Sequence, residues 1–285
     1  MNNTVFKKVI SLEEAKALLE QLRQSRGCPS GFPALDKLSG GLVQDGVTLV
    51  AGRPAMGRTA CVMNMVGRLS RRQEGTILVF SPRFWVKELA MLLLGIVMET
   101  NPEEFFDSKL SPEEIVARFS DYYEAKKSNI KLDTISYLSL DEIWEKSCRI
   151  PDLQMIVINP IEGITEPLNL MENPVNWDKR REPPEKILKS LKELADTLNV
   201  PVVCTACLHR SLERRKNKRP RLGDLKKIGV PAELADQIIF LYRDRYYDSN
   251  GQEGAEWIVA KSPNGTVGTV ELDWDDAARC FHEHQ

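Results

Sequence analysis

The chain has 285 residues, of which 42% are hydrophobic and 28% charged, and its formal net charge is -2. Such values describe an ordinary globular protein, long enough for one large α/β domain or two smaller ones, and they exclude an all-over basic coat for nucleic acid. Any contact with a polyanion must come from a local concentration of charge.

Residues 11–26 read as an amphipathic helix. Ser11 and Glu14 form a capping box, and Leu12, Ala15, Leu18, Leu19 and Leu22 fall on one face that needs a partner surface. The Gly27-Cys28-Pro29-Ser30-Gly31 stretch separates this helix from the rest of the chain. Residues 1–30 are therefore expected to form an arm, and residues 31–285 a core domain. A helix folded back on its own domain is the equal alternative.

Val47 to Ala51 is a short apolar run that reads as a buried strand, and Gly52-Arg53-Pro54-Ala55-Met56-Gly57-Arg58-Thr59 comes directly after it. The spacing is that of a phosphate-binding loop, in which glycines let successive N–H groups point at phosphates from the start of a helix. Arg58 stands where the pattern has lysine. A planar guanidinium is longer and bulkier than the compact ammonium that such a cradle accepts, so the exchange is not conservative. The bland alternative is a glycine-rich turn with no ligand.

Further apolar runs at Thr76 to Phe80, Ile130 to Ile135, Gln154 to Ile158 and Val200 to Cys207 read as strands with helices between them. That alternation predicts an α/β fold with a mainly parallel, twisted sheet and helices on both faces. Leu89 to Met98, bracketed by Glu88 and Glu99, is half a bilayer span and reads as a buried helix, so no membrane partner is expected. Asn169 to Pro184, rich in Pro, Asn and charge, is expected to be a mobile loop. The six scattered cysteines suit a reducing cytoplasm. Cys204 and Cys207 have C-x-x-C spacing but lie within a strand, where positions i and i+3 face opposite ways, so neither metal nor redox use is expected. His209 to Lys227 concentrates positive charge. After residue 236, Gln237 to Tyr242, Glu256 to Lys261 and Thr266 to Trp274 are separated by turn signals, predicting an antiparallel extension at the far edge of the sheet.

Several of these segments, in order from about residue 27 to 275, resemble the RecA-like core of DnaB-type replicative helicases. Gly31-Phe32, Leu35-Asp36 and Gly40-Gly41-Leu42 resemble that family's lead into the core, and Gly52 to Thr59 resembles its phosphate loop. Leu198 to Val203, His209-Arg210-Ser211-Leu212-Glu213, Lys218-Arg219-Pro220, Ala235-Asp236, Tyr242-Arg243-Asp244 and Lys261 with Asn264-Gly265 are similar to further family segments. The resemblance implies a RecA-like P-loop ATPase assembled as a ring on single-stranded DNA, with ATP between subunits. The arm would be the linker helix that docks on a copy of the chain or on another replicative helicase. The family's N-terminal helical domain has no counterpart in these residues, which read as the motor domain alone or a fragment.

The resemblance also assigns roles. Gly52, Pro54, Gly57, Arg58, Thr59 and Ala60, with Lys261 reaching across an interface, would contact nucleotide, and Thr59 would hold Mg²⁺ if the metal binds. The catalytic positions depart from the family's pattern: Arg58 replaces the loop lysine, Arg83 the catalytic glutamate, Asn159 the aspartate behind Mg²⁺, Cys207 the glutamine that senses the γ-phosphate, and Pro263 an interfacial arginine. Losing Glu and Asp while gaining Arg makes the pocket about three units more positive, which disfavours Mg²⁺ and still favours an anion. Weak ATP or ADP binding with hydrolysis lost or very slow is therefore expected, an active helicase with an atypical loop being the alternative. Arg210, Arg214, Arg215, Lys216, Lys218, Arg219 and Arg221 would contact the DNA backbone, and the scarcity of aromatics among them predicts no base stacking.

Overall fold

The computed structural model describes residues 27–72, 75–82, 89, 92, 93, 95, 96, 129–135, 138–166 and 181–284. The expected arm helix at 11–26, Arg83, and most of the expected mobile loop at 169–184 lie outside the described residues.

Among the described residues nine strands form one sheet: β1 (Val47–Gly52), β2 (Thr76–Phe80), β3 (Ile130–Asp133), β4 (Leu153–Ile158), β5 (Val202–Cys207), β6 (Gln237–Tyr242), β7 (Ala255–Lys261), β8 (Gly268–Asp275) and β9 (Cys280–Glu283). Their order is β3-β2-β4-β5-β1-β6-β7-β8-β9. The strands from β3 to β6 run parallel, and β7, β8 and β9 add antiparallel to β6. The parallel core and the antiparallel extension both match the expectation from sequence. The ends of β1, β4 and β7 differ by one residue from those read in the sequence, and three strands differ by two: β3 stops at Asp133, β5 starts at Val202 and β8 starts at Gly268. The expected strand 266–274 lacked a continuation, whereas β9 comes after it, past a turn in which Arg279 takes a left-handed φ of 52°.

Among the described residues the helices with assigned ends are α1 (Pro33–Ser39), α2 (Arg58–Ser70), α3 (Leu140–Cys148) and α4 (Pro184–Leu198), with single turns α5 (Leu222–Leu225) and α6 (Asp244–Tyr247). Strand periodicity divides the core into two layers. Val50 faces α2 and the β7–β9 strands, while Val47, Leu49 and Ala51 face α3 and α4. Helix α3 starts on a capping box: Glu142 N–H donates to Ser139 Oγ at 3.2 Å, and Ser139 N–H to Glu142 Oε2 at 2.8 Å. Of the apolar run 89–98, the described residues Leu89, Leu92, Leu93, Gly95 and Ile96 are helical and buried. No helix among the described residues is long and apolar enough to cross a membrane.

The core begins before residue 31. Cys28 bridges Leu42, and buried Ser30 donates its N–H and Oγ to Asp36 Oδ1 at 2.9 and 2.6 Å.

Candidate nucleotide-binding site

Strands β1, β2, β4, β5 and β6 all end on the same edge of the sheet, where open α/β sheets bind ligands. That edge gathers Gly52 to Thr59, Ser81, Asn159, Cys207 and Arg243 from five parts of the sequence.

The loop from β1 to α2 has the backbone its residues predict. Gly57, the residue before α2, has φ of 87°, and a Cβ there would lie 2.7 Å from Phe281 Cζ. Only glycine suits both the left-handed conformation and that approach. Ala55 also takes a left-handed φ, of 64°. No side chain caps α2, so the N–H groups of its first turn, at Arg58, Thr59 and Ala60, face the concavity of the loop and are available to an anion. Pro54 and Ala55 are exposed at the rim of the loop, and Arg58 and Thr59 are half-buried.

Behind Thr59 stands Asn159, 1% exposed at the end of β4. Its Oδ1 accepts from Thr205 Oγ1 at 2.9 Å, Thr59 Oγ1 lies within 3.4 Å of the same amide, and its Nδ2 reaches Ser81 Oγ at 3.4 Å. Ser81 Oγ in turn donates to the Asn159 carbonyl at 2.9 Å. The side-chain partners of Asn159 among the described residues are thus hydroxyls, a neutral and mutually satisfied set. A hard divalent cation is held by oxygens backed by negative charge, and the Thr59–Asn159 pair supplies none.

Cys207 ends β5 opposite Gly52 in register. Its N–H donates to Glu162 Oε1 at 2.5 Å, and Leu208 N–H donates to the Gly52 carbonyl at 3.1 Å. Glu162, carried on the turn after β4, is a carboxylate beside the loop that no motif or spacing in the sequence singles out. Cys204 is fully buried earlier on the same strand, and burial pushes its thiol up, so it stays protonated.

Arg243 closes the other flank. Its guanidinium donates to the Ala55 carbonyl at 3.2 Å and to Asp276 Oδ1 at 2.8 Å, and lies 4.5 Å from the centroid of Trp274. Burial opposes ionisation of Asp276, but the Trp274 indole N–H and Arg243 outweigh it and hold the carboxyl below its usual value. The loop is therefore braced by the β8–β9 hairpin.

Lys261 sits elsewhere. It pairs with Ile238 near the start of β6, at the end of the sheet opposite the phosphate loop, and its Nζ donates to the carbonyls of Ala232, Glu233 and Ala235 at 3.1, 3.2 and 2.6 Å. It is no part of this chain's own loop, and only a contact with another subunit would bring it to a nucleotide. Pro263 lies in the β7–β8 turn.

The basic segment divides in two. Arg210, Arg214, Lys216 and Arg221 are exposed. Arg215 instead donates to Asp224 at 2.9 and 3.2 Å and to the Arg219 carbonyl, and Arg219 pairs with Glu256 through Nε at 2.7 Å and through Nη2. These two side chains hold the segment onto the fold. Aromatic rings, unexpected beside this segment, come from α6 and β6: Lys218 lies 5.1 Å over Tyr247 and Arg219 lies 4.6 Å over Tyr242.

The family described as "DnaB-like helicase C terminal domain" matches residues 27–283. The chain is 32% identical over 251 residues to the replicative DNA helicase DnaB of Geobacillus stearothermophilus, covering 86% of this chain and 54% of that protein. It is 30% identical over 263 residues to the replicative DNA helicase DnaC of Bacillus subtilis (strain 168), covering 89% and 57%. The chain thus spans about half the length of the curated relatives it matches. Among solved structures, the ATPase domain of G40P superposes with a TM-score of 0.80 at 27% identity, covering 98% of this chain and all of that one. A DnaB-like replicative helicase, described together with its interactions with primase, gives 0.80 at 27%, covering 99% and 69%. The fold is that of a RecA-like helicase ATPase domain.

Proposed function

We propose that this chain, which belongs to the DnaB-like helicase C terminal domain family, is a DNA-replication protein whose phosphate loop binds ATP or ADP weakly and whose ATP hydrolysis is lost or very slow. The observation that carries this reading is the Asn159 cluster: the position behind Thr59 is filled by a neutral amide already bonded to hydroxyls. Phosphoryl transfer depends on positioned charge around the phosphates, and removing one such contribution costs on the order of 3 kcal/mol in the barrier. The neutral amide and hydroxyls beside Thr59 do not fit Mg²⁺. Arg83, by its place in the sequence, reverses the charge where the family has its catalytic glutamate. Phosphate binding has different needs, and the loop backbone with its open first helical turn supplies them.

The exposed cations Arg210, Arg214, Lys216 and Arg221, with half-buried Lys218, support backbone contact with single-stranded DNA that is independent of sequence and sensitive to salt. Residues 1–30 would serve as a linker to a second copy or to another replicative helicase, in the cytoplasm. The second reading, an active helicase with an atypical loop, is favoured by Glu162, a carboxylate held against the Cys207 N–H next to Gly52.

Steady-state ATPase measurement with single-stranded DNA separates the two readings. Turnover near one per second, about the low end for phosphoryl-transfer enzymes, overturns the first. Activity that emerges only when Arg58→Lys, Arg83→Glu and Asn159→Asp are combined supports it.

A further inference from the structure

An ion pair ties the phosphate loop to the turn that opens the basic segment. Arg53, the second residue of the loop, donates Nε to Glu213 Oε1 at 2.7 Å and Nη1 to the Leu208 carbonyl at 2.7 Å. Only 17% of the Arg53 side chain is exposed and 35% of the Glu213 side chain, so the guanidinium end of the pair is largely withdrawn from solvent and the carboxylate end partly so. Glu213 lies in the 3-10 turn Arg210–Arg214, between the exposed Arg210 and Arg214.

The same carboxylate oxygen receives the Tyr247 hydroxyl at 3.5 Å, and Lys218 covers that ring. Burial and the charge of Glu213 push the Tyr247 phenol up to about 12, so it remains a donor at neutral pH. A cleft of about 610 Å³ beside the pair is lined by Arg53, Glu162, Cys207, His209 and Arg210. The flank of the phosphate loop and the basic turn therefore share both a bond and a wall.

Given that the loop takes nucleotide and the exposed basic residues take single-stranded DNA, as proposed above, we propose that Glu213 is a positioning residue for the loop, through which each ligand strengthens binding of the other. The physical reason is shared ordering. A phosphate in the loop fixes the backbone that carries Arg53, and a polyanion on Arg210 and Arg214 fixes the turn that carries Glu213. Either event immobilises the same pair, so the second ligand meets an element already ordered.

Isothermal titration calorimetry of the full chain with ADP, alone and with saturating oligothymidylate, reads the effect. ADP binding tightens by about fivefold with oligothymidylate, and oligothymidylate binding tightens by the same factor with ADP. Glu213→Ala brings that factor to one, and Glu213→Gln, which keeps an acceptor for Arg53 Nε, retains part of it. A merely structural Glu213 would lower the melting temperature and leave the factor unchanged. Binding of both ligands with no mutual effect in the unaltered chain overturns this inference alone, as does undiminished coupling in Glu213→Ala. Failure of ADP or of oligothymidylate to bind the unaltered chain overturns it together with the reading beneath it.

Discussion

Asn159 is buried among Thr59, Ser81 and Thr205, and what that pocket tolerates is a matter of charge. Replacing it with aspartate puts an anion where the present neighbours are neutral. We expect Asn159→Asp to lower stability by about 1–3 kcal/mol without metal, the cost of a buried charge that its hydroxyl neighbours compensate only in part. Mg²⁺ should restore part of that loss in the variant and leave the unaltered chain unchanged, which thermal melts with and without the ion will read. Asp244 offers a second test. The Tyr242 hydroxyl donates to it at 2.5 Å and Gln252 N–H at 3.3 Å, and the Tyr242 bond above all holds its carboxyl below the usual carboxylate range. A carboxyl lowered in the folded state adds stability that is complete above its unfolded pKa and disappears as pH falls through the lower folded value. Urea unfolding of Asp244→Asn should show a deficit of about 0.5–1 kcal/mol at neutral pH, the bond being partly screened by solvent. The two proteins should converge as pH falls below the usual carboxylate range. Residues of this kind differ in how legible they are from sequence. Arg58 could be placed by its offset from the loop glycines, and Asn159 by the family resemblance together with its position at the end of a strand. Glu162 could not, and the contacts of Glu213 and Arg243, which fall in segments that resemble the family, could not either, since their partners lie far away in the chain and local spacing carries no trace of them.

The basic segment shows the same limit for a whole element. Its charge density is plain in the sequence, yet nothing local distinguishes Arg214, which is exposed, from Arg215, whose partner Asp224 is 7% exposed at the side chain. The difference comes from the chain doubling back at α5, so that Asp224 faces one arginine and not the other. Arg215→Ala should cost about 2–3 kcal/mol in chemical unfolding because it strands a buried carboxylate. Arg214→Ala should stay within about 0.5 kcal/mol. For DNA the order reverses. Joint replacement of Arg214, Lys216 and Arg221 by alanine should weaken oligothymidylate binding and flatten its dependence on salt by about 0.7 for each phosphate no longer neutralised, as fluorescence anisotropy at several salt concentrations will measure. Unchanged affinity in that variant would remove the segment from the DNA surface. Strand β9 is hidden in the sequence for a related reason: its turn passes through Arg279 in a left-handed conformation, with no glycine or asparagine to mark it.

At the scale of the molecule, the phosphate loop depends on the last strand of the sheet. From β1 the loop turns into α2, and α2 is buttressed by β9. Asn64 Oδ1 accepts from Phe281 N–H at 3.2 Å, Arg68 Nη2 donates to the Phe281 carbonyl at 2.9 Å, and the Phe281 ring, 0% exposed, fills the space that glycine leaves at position 57. The ring also packs on Trp257 at 5.2 Å and on Trp274 at 4.5 Å. The parallel part of the fold, legible from its alternation of strands and helices, thus does not define the site by itself. It needs the antiparallel edge, on the order of two hundred residues later in the chain, to set the shape of the loop. Phe281→Ala should therefore act in two ways. Loss of a fully buried ring costs about 3–5 kcal/mol, a large share of the stability of a typical domain. The cavity it leaves lies directly under Gly57, so the loop gains freedom that an anion must remove on binding, and ADP affinity should fall even at temperatures where the variant is fully folded. Phe281→Leu refills most of the volume and should recover most of both quantities, which denaturation and calorimetry on the two variants will establish. If Phe281→Ala binds ADP as the unaltered chain does while losing stability, the far edge of the sheet supports the fold alone and not the loop.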